Sequence, residues 1–151
     1  MSDPDFPLFQ ENSIDFHVEA IDFQLESEKA LKDWILQVIR AENGQLHFIH
    51  YVFCSDEYLH QINVEYLQHD TYTDIITFPY REDLIESDIF ISIDRVRENA
   101  IQFSVPFTTE LHRVIIHGVL HLLGFGDKTP EEKSVMRAKE DHYVSLLPPS
   151  H

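Results

Sequence analysis

The feature that most restricts how this chain can fold is a pair of histidines, four residues apart, followed by a glycine-bounded turn. His117 and His121 stand in an apolar run, and Gly124 and Gly126 follow before Asp127. Residues four apart on a helix lie roughly 5–6 Å apart on one face, so both imidazoles can reach one metal ion. The helix must then end at the glycines, so that Asp127 can turn back as a third ligand.

This ligand set predicts a metal site with at least one open position, and an open position holds the water that hydrolysis needs. Gly118 follows the first histidine, where zinc proteases of the HExxH type carry glutamate as their general base. Arg113 falls on the same face, one turn before His117, and can hold a phosphate or a developing oxyanion. Pairing of Arg113 with Glu110 or another carboxylate is an equally good interpretation.

The rest of the chain predicts a sheet covered by helices. Strands are predicted at 14–23, 46–53, 74–78 and 88–93. Helices are predicted at 28–41, from Ser55 to 67, at 94–103, from 108 to Gly124, and from Thr129 to the prolines at 148 and 149. The order β-α-β-α-β-β-α-α-α is typical of an α+β fold, here a small mixed sheet with about five helices. Without a linker or repeat, residues 1–151 form one domain.

Apolar residues at helical spacing give several of these helices a buried face. The first helix is assigned Leu31, Trp34, Ile35, Val38 and Ile39. The second is assigned Leu59, Ile62, Val64 and Leu67, and the last is assigned Val135, Met136, Tyr143 and Leu146.

Charge and cysteine content limit the partners. The chain carries 27 acidic and 11 basic residues, a net charge of −16, which repels anionic membranes and bulk nucleic acid. Only three of the basic residues precede residue 81, so the C-terminal half suits an anionic substrate better. The single cysteine, Cys54, excludes an intramolecular disulfide and fits a reducing, cytoplasmic location. No apolar run approaches the roughly 20 residues that span a bilayer.

The segment HGVLHLLGF, preceded by ELHRVII, resembles the signature of the YbeY-type endoribonucleases, the rRNA maturation factors of bacteria. Upstream, Ile62-Asn63 and Tyr66, then Asp70, are similar to that family's asparagine and loop aspartate. Residues 73–79 resemble its T-[ND]-V-L-S-F-P strand, and residues 87–92 resemble its GDI-x-IS strand. The motifs follow the family's order and cover about residues 45–142.

The resemblance implies a metal-dependent endoribonuclease, specific for single strands, that matures the 3′ end of small-subunit rRNA and serves ribosome quality control. It also implies zinc held by three histidines, of which His117 and His121 match two. Asp127 stands at the third position, and its charge makes the metal a weaker Lewis acid. Its hard oxygen makes Mn²⁺ or Mg²⁺ the second choice after Zn²⁺. Leu67 stands where the family usually carries a basic residue thought to contact RNA.

Metal-assisted phosphodiester hydrolysis is therefore expected, with either water or a ribose 2′-OH as the nucleophile. The predicted site residues are the metal ligands His117, His121 and Asp127, the catalytic residues Arg113 and His69, and the RNA-binding residues Arg113, Lys128 and Arg95. The expected partners are single-stranded or ribosomal RNA, with small-subunit ribosomal proteins as further candidates, and neither membrane nor DNA.

Two other functions fit parts of the pattern. A metallopeptidase would need Asp74 or Glu140 as its base. A non-catalytic, ribosome-associated module would hold its metal in a closed site, with His142 or Asp141 as fourth ligand.

Overall fold

The computed structural model describes residues 13–147, and these form four strands and five helices in the predicted order. The strands are β1 (Ser13–Glu19), β2 (Leu46–Cys54), β3 (Ile75–Pro79) and β4 (Ile85–Ser92). The helices are α1 (Glu28–Ala41), α2 (Asp56–Leu67), α3 (Ile93–Phe103), α4 (Phe107–Leu122) and α5 (Pro130–Leu146). This is the mixed α+β architecture that the pattern predicts. None of the described helices is long and apolar enough to cross a bilayer.

The sheet has the strand order β1-β2-β4-β3. The first three of these strands are mutually parallel, and β3 runs antiparallel to β4 at one edge. Parallel neighbours require a crossover connection, and α1 supplies the one between β1 and β2. The edge strand β3 matters most for the site, because α4 lies against it and against β4.

One face of the sheet carries the main core. Alternate residues of β2 (Ile49, Tyr51 and Phe53) are fully buried there, as the two-residue period of a strand requires. The predicted apolar stripe of α1, which includes Trp34 and Ile35, is buried against them. Buried residues of α3, α4 and α5 complete the same cluster.

The opposite face carries a smaller core under α2, formed by Cys54, Leu59 and Ile76. The prediction that Val64 and Leu67 belong to the buried face of α2 is wrong, because both are exposed. Leu59 and Asn63, one turn apart, form the buried stripe of this helix. Val64 lies about 100° around the helix from Asn63 and so falls outside this narrow stripe, and Leu67 is the last residue of the helix.

The apolar face predicted for α5 is also wrong in part. Val135 and Leu146 are exposed, whereas Met136, Glu140 and Tyr143 are buried. The face that packs against the protein therefore includes a carboxylate. An acidic residue at a core position needs a specific partner.

The helix starts predicted at Ser55 and Thr129 are confirmed, and each of these residues caps its helix. Ser55 Oγ accepts the Tyr58 N–H at 3.1 Å, and Thr129 forms a capping box with Glu132. Helix α4 begins one residue earlier than predicted, after Pro106. The predicted end of α5 at the prolines 148 and 149 lies outside the described residues.

The strand boundaries differ from prediction by three or more residues at two places, and elsewhere by at most a single residue. Strand β1 ends at Glu19 rather than at residue 23, because Ala20 has a positive φ of 62° that breaks the extended backbone. Strand β4 begins three residues early, at Ile85, because pairing with Leu46 of β2 extends it.

Candidate metal centre and active site

Helix α4 carries Arg113, His117 and His121 on successive turns of one face. Gly118 faces the sheet instead. A Cβ at Gly118 would lie 3.0 Å from Ile75 Cδ1 and 3.3 Å from Ile89 Cδ1. The missing side chain therefore lets α4 lie close against β3 and β4, which holds the two histidines at the sheet edge.

The chain reverses directly after α4. Gly124 has a φ of +107°, a conformation that side chains rarely adopt. The Phe125 N–H donates to the Leu120 carbonyl at 3.0 Å and the Gly124 N–H donates to the His121 carbonyl at 3.0 Å. This pair of bonds is a Schellman motif. It turns the following segment back, so that Asp127 Oδ2 lies 3.4 Å from His117 Nε2.

A cavity of about 260 Å³ opens between α4, this turn and the segment that enters β3. Its lining consists of Thr73, Asp74, Ile75, Thr77, His117, His121 and Asp127. The three predicted ligands thus border one space, together with two threonines and a second aspartate.

Two of the candidate donor atoms lie at a spacing that suits a divalent cation. Two ligands held about 2.0 Å from a tetrahedral zinc ion lie roughly 3.3 Å apart, close to the 3.4 Å between His117 Nε2 and Asp127 Oδ2. Imidazole nitrogen and carboxylate oxygen are both ordinary zinc ligands. Across residues 13–147, no three His, Cys, Asp or Glu side chains already surround one point as a finished site. The structure therefore brings one pair of donors to ligand spacing and places His121 in the same cavity.

The orientation of His117 is set by Glu140 of α5. Glu140 Oε2 lies 2.7 Å from His117 Nδ1, and its side chain is 7% exposed. This hydrogen bond raises the pKa of His117, although burial of the ring acts in the opposite direction. A proton held on Nδ1 leaves the Nε2 lone pair facing Asp127, as a metal ligand requires.

The guanidinium of Arg113 is paired with carboxylates. Its Nη1 lies 2.8 Å from Asp141 Oδ1 and 3.3 Å from Glu140 Oε1, and its Nε lies 4.0 Å from Glu110 Oε1. This is the carboxylate pairing that the sequence left open beside phosphate binding. In this arrangement Arg113 braces Glu140, which in turn holds His117.

Asp74 borders the same cavity from the start of β3. Burial raises its pKa above the usual value, and Asn99 Nδ2 donates to its Oδ2 at 3.4 Å. A carboxylate with a raised pKa is a better proton acceptor than an ordinary aspartate.

Three further predicted site residues, Lys128, His69 and Arg95, remain to be placed relative to this centre. Lys128 is exposed and directly follows Asp127. His69 is exposed beyond the end of α2, and it does not line the described cavities at the metal centre. Arg95 is paired with Asp56 at 2.8 Å and lies over the Tyr72 ring, and it too is absent from those linings. None of these three side chains lines the cavities described at the metal centre, although Lys128 stands next to Asp127 in the chain.

Sequence reasoning missed the role of Glu140, which it named only as a candidate base. The signal was available, because Met136, Glu140 and Tyr143 share one helical face. An acidic residue between two apolar residues at core spacing indicates a buried, paired carboxylate.

Comparisons with known proteins bear on this geometry. The profile of a family described as "Endoribonuclease YbeY" matches residues 13–147. A protein of Amoebophilus asiaticus named "Endoribonuclease YbeY" is 51% identical over 134 residues, covering 87% of this chain and 91% of the relative. A protein of the same name from Flavobacterium psychrophilum is 50% identical over 135 residues, covering 89% and 96%.

The fold has a solved counterpart. The solution structure of a Thermotoga maritima protein superposes with a TM-score of 0.64 and 27% identity, covering 89% of this chain and 88% of that one. This likeness confirms the α+β fold over nearly the whole described chain.

Proposed function

Because the chain belongs to the YbeY endoribonuclease family, we propose that it is a single metal-dependent domain that cleaves single-stranded rRNA near the 3′ end of the small-subunit RNA. Family membership confirms the resemblance inferred from the motifs, and with it a hydrolase that acts on RNA. The further proposals are the ligands His117, His121 and Asp127, zinc as the metal, and a cytoplasmic reaction assisted by small-subunit ribosomal proteins.

The observation that supports this site assignment most directly is that His117 has a carboxylate at each of its two ring nitrogens. Glu140 lies at Nδ1 and Asp127 lies at Nε2, with contacts of 2.7 and 3.4 Å. A histidine that only stabilised the fold would need a carboxylate at one ring nitrogen, not at both. A carboxylate behind the ring and a second donor before it form the arrangement of a metal-ligating histidine.

Each residue of the centre has a distinct part in the proposed reaction. A bound divalent cation supplies Lewis-acid polarisation of a phosphate oxygen and a lowered pKa for water. Glu140 keeps the proton of His117 on Nδ1. Asp74, with its raised pKa, accepts the proton of the attacking hydroxyl. Lys128, exposed beside Asp127, attracts the RNA backbone.

The two alternative functions receive less support from the geometry. A peptidase base must face the open side of the metal, but Glu140 lies at the opposite nitrogen of the His117 ring. Only Asp74 of the two candidate bases borders the cavity, and the family to which the chain belongs acts on RNA rather than on peptides. A closed structural site would need Asp141 or His142 as a fourth ligand. Asp141 is paired with Arg113 at 2.8 Å, and His142 packs on the Tyr143 ring.

The test measures metal content by inductively coupled plasma mass spectrometry, and cleavage of a single-stranded RNA by the same samples. Wild type is compared with Asp127→Ala and His121→Ala. The matched control is His17→Ala, an exposed histidine on β1 at the far edge of the sheet. We expect about one zinc per chain in wild type and control, and loss of both zinc and cleavage in the other two.

Full zinc content together with full cleavage in His121→Ala would refute the proposed centre. Bound zinc without cleavage by the wild type would instead favour the non-catalytic module.

A further inference from the structure

A second cavity continues from the metal centre along the protein surface. Its volume is about 390 Å³, within the range of ligand-sized clefts. It shares Asp74, Ile75, His117 and Asp127 with the first cavity. From there it extends between the C-terminal end of α3 and the first turns of α5, so an extended strand cut at the metal centre has a path into it.

Two cations of α5 border this groove. Lys133 and Arg137 stand one turn apart on the same face, and both are exposed. Among residues 13–147, neither has a carboxylate within 4.0 Å, whereas Arg81, Arg95 and Lys139 each have one. Both side chains are therefore free to bind an anion, although the net charge of the chain is −16.

Four carboxylates also border the groove, namely Asp74 and Asp127 at the metal centre and Glu110 and Glu140 beside Arg113. Glu140 is engaged with His117 and Arg113, and Glu110 is buried beside Arg113. Burial raises the pKa of Glu110. The two glutamates are buried, whereas Lys133 and Arg137 are exposed to solvent, where an anion can reach them.

An aromatic ring faces the same space. Phe103, the last residue of α3, lines the groove and is 54% exposed. The helix ends there because Ser104 adopts a positive φ of 58°. An exposed ring beside two cations is the combination with which proteins bind single-stranded nucleic acid, since bases stack on the ring and phosphates meet the cations.

We propose that this groove is a nucleotide subsite for the RNA strand next to the scissile phosphate, in which Phe103 stacks a base and Lys133 and Arg137 bind the adjoining phosphates. The inference rests on the proposed endoribonuclease function and extends it. It also explains how so acidic a protein holds RNA, because the contact is a local groove rather than a basic surface.

The first test measures binding of a 2′-O-methylated decauridylate, which resists cleavage, by fluorescence anisotropy at several salt concentrations. Phe103→Ala is expected to weaken binding at least about fivefold, and Phe103→Trp to retain it. Lys133→Ala with Arg137→Ala is expected to lower the slope of log affinity against log salt by about 1.4, since each phosphate contact on a single strand contributes about 0.7. The matched control is Lys29→Ala with Arg40→Ala on α1, which removes the same charge far from the groove.

The second test measures cleavage of an unmodified single-stranded RNA by the same variants at saturating metal. We expect KM to rise in the groove variants while their zinc content stays at the wild-type level, which separates the subsite from the metal centre. If the groove variants bind and cleave like the control double variant, the subsite is refuted and the proposed function stands. If the wild type cleaves no RNA, the proposed function fails. The binding measurements by anisotropy then show by themselves whether the groove binds RNA.

Discussion

The contact between Glu140 and His117 makes a quantitative prediction about metal affinity. Glu140→Gln keeps the shape of the side chain and an oxygen that can accept from Nδ1, but removes the charge. The hydrogen bond is 2.7 Å long, and a charge-assisted bond is roughly twice as strong as a neutral one. Loss of such a carboxylate behind a ligating histidine lowers metal affinity about 10- to 100-fold, equivalent to about 1.4–2.8 kcal/mol.

The glutamine variant is preferable to alanine because the fold should survive. Glu140→Ala would leave His117 Nδ1 without its acceptor, a change that costs about 1–3 kcal/mol of stability. In Glu140→Gln, Arg113 keeps Asp141 at 2.8 Å. Thermal unfolding of the metal-free proteins checks that this variant remains folded.

The assay is competition for zinc against a chromogenic chelator at neutral and acidic pH. Glu140 raises the pKa of His117, so protons compete with the metal more strongly in the wild type. The gap between wild type and variant should therefore narrow as the pH falls. The control is Asp141→Asn, which also touches Arg113 but is 56% exposed and is not paired with His117. Equal zinc affinity in Glu140→Gln and wild type, or an equal loss in Asp141→Asn, would refute the reasoning.

Three further predictions concern stability. Burial alone would raise the pKa of Glu42. The pKa is nevertheless lowered by Lys139, whose Nζ lies 2.7 Å from the carboxylate, and by the Tyr143 hydroxyl. A lowered folded-state pKa means that the contact stabilises above the unfolded value near 4.5 and is lost as the pH falls through the folded value. Glu42→Gln should therefore be less stable than wild type in urea at neutral pH and approach it in acid; a gap that does not depend on pH would contradict this. Gly118→Ala should lower the free energy of unfolding by about 1–3 kcal/mol through overpacking against β3 and β4. An unchanged urea midpoint would show that the side chains of Ile75 and Ile89 move aside without a cost in stability. Thr129→Ala should cost about 0.5–2 kcal/mol by removing the cap of α5, measured by the same titration, and Thr129→Ser, which keeps the hydroxyl, should retain most of that stability.

The order and type of the elements were predictable from local sequence. Capping residues such as Ser55 and Thr129 act on N–H groups within three residues, so their effect does not depend on the rest of the fold. The stripe of α1 was equally clear, because five apolar residues at helical spacing define one face. By contrast, the buried faces of α2 and α5 were misassigned at Val64 and Leu146, since apolar character alone does not say how much of a helix its neighbours cover.

Some features of the candidate metal centre were likewise predictable from local sequence, and others were not. The sequence determined that His117 and His121 share a face and that the chain turns back to Asp127, because helix periodicity and the Schellman turn are properties of a few consecutive residues. Only the tertiary structure decided that Glu140 stands behind His117 and that Arg113 is held by carboxylates of α5.

The groove beside the centre depended on packing alone. Phe103 lies at the end of α3, and Lys133 and Arg137 lie on the first turns of α5, about thirty residues later in the chain. No local pattern joins them, because the angle at which α3 and α5 pack on α4 is set by side chains along all three helices. The sequence by itself determined the chemistry available at this edge of the sheet, and the packing of the helices decided which of those groups face one another.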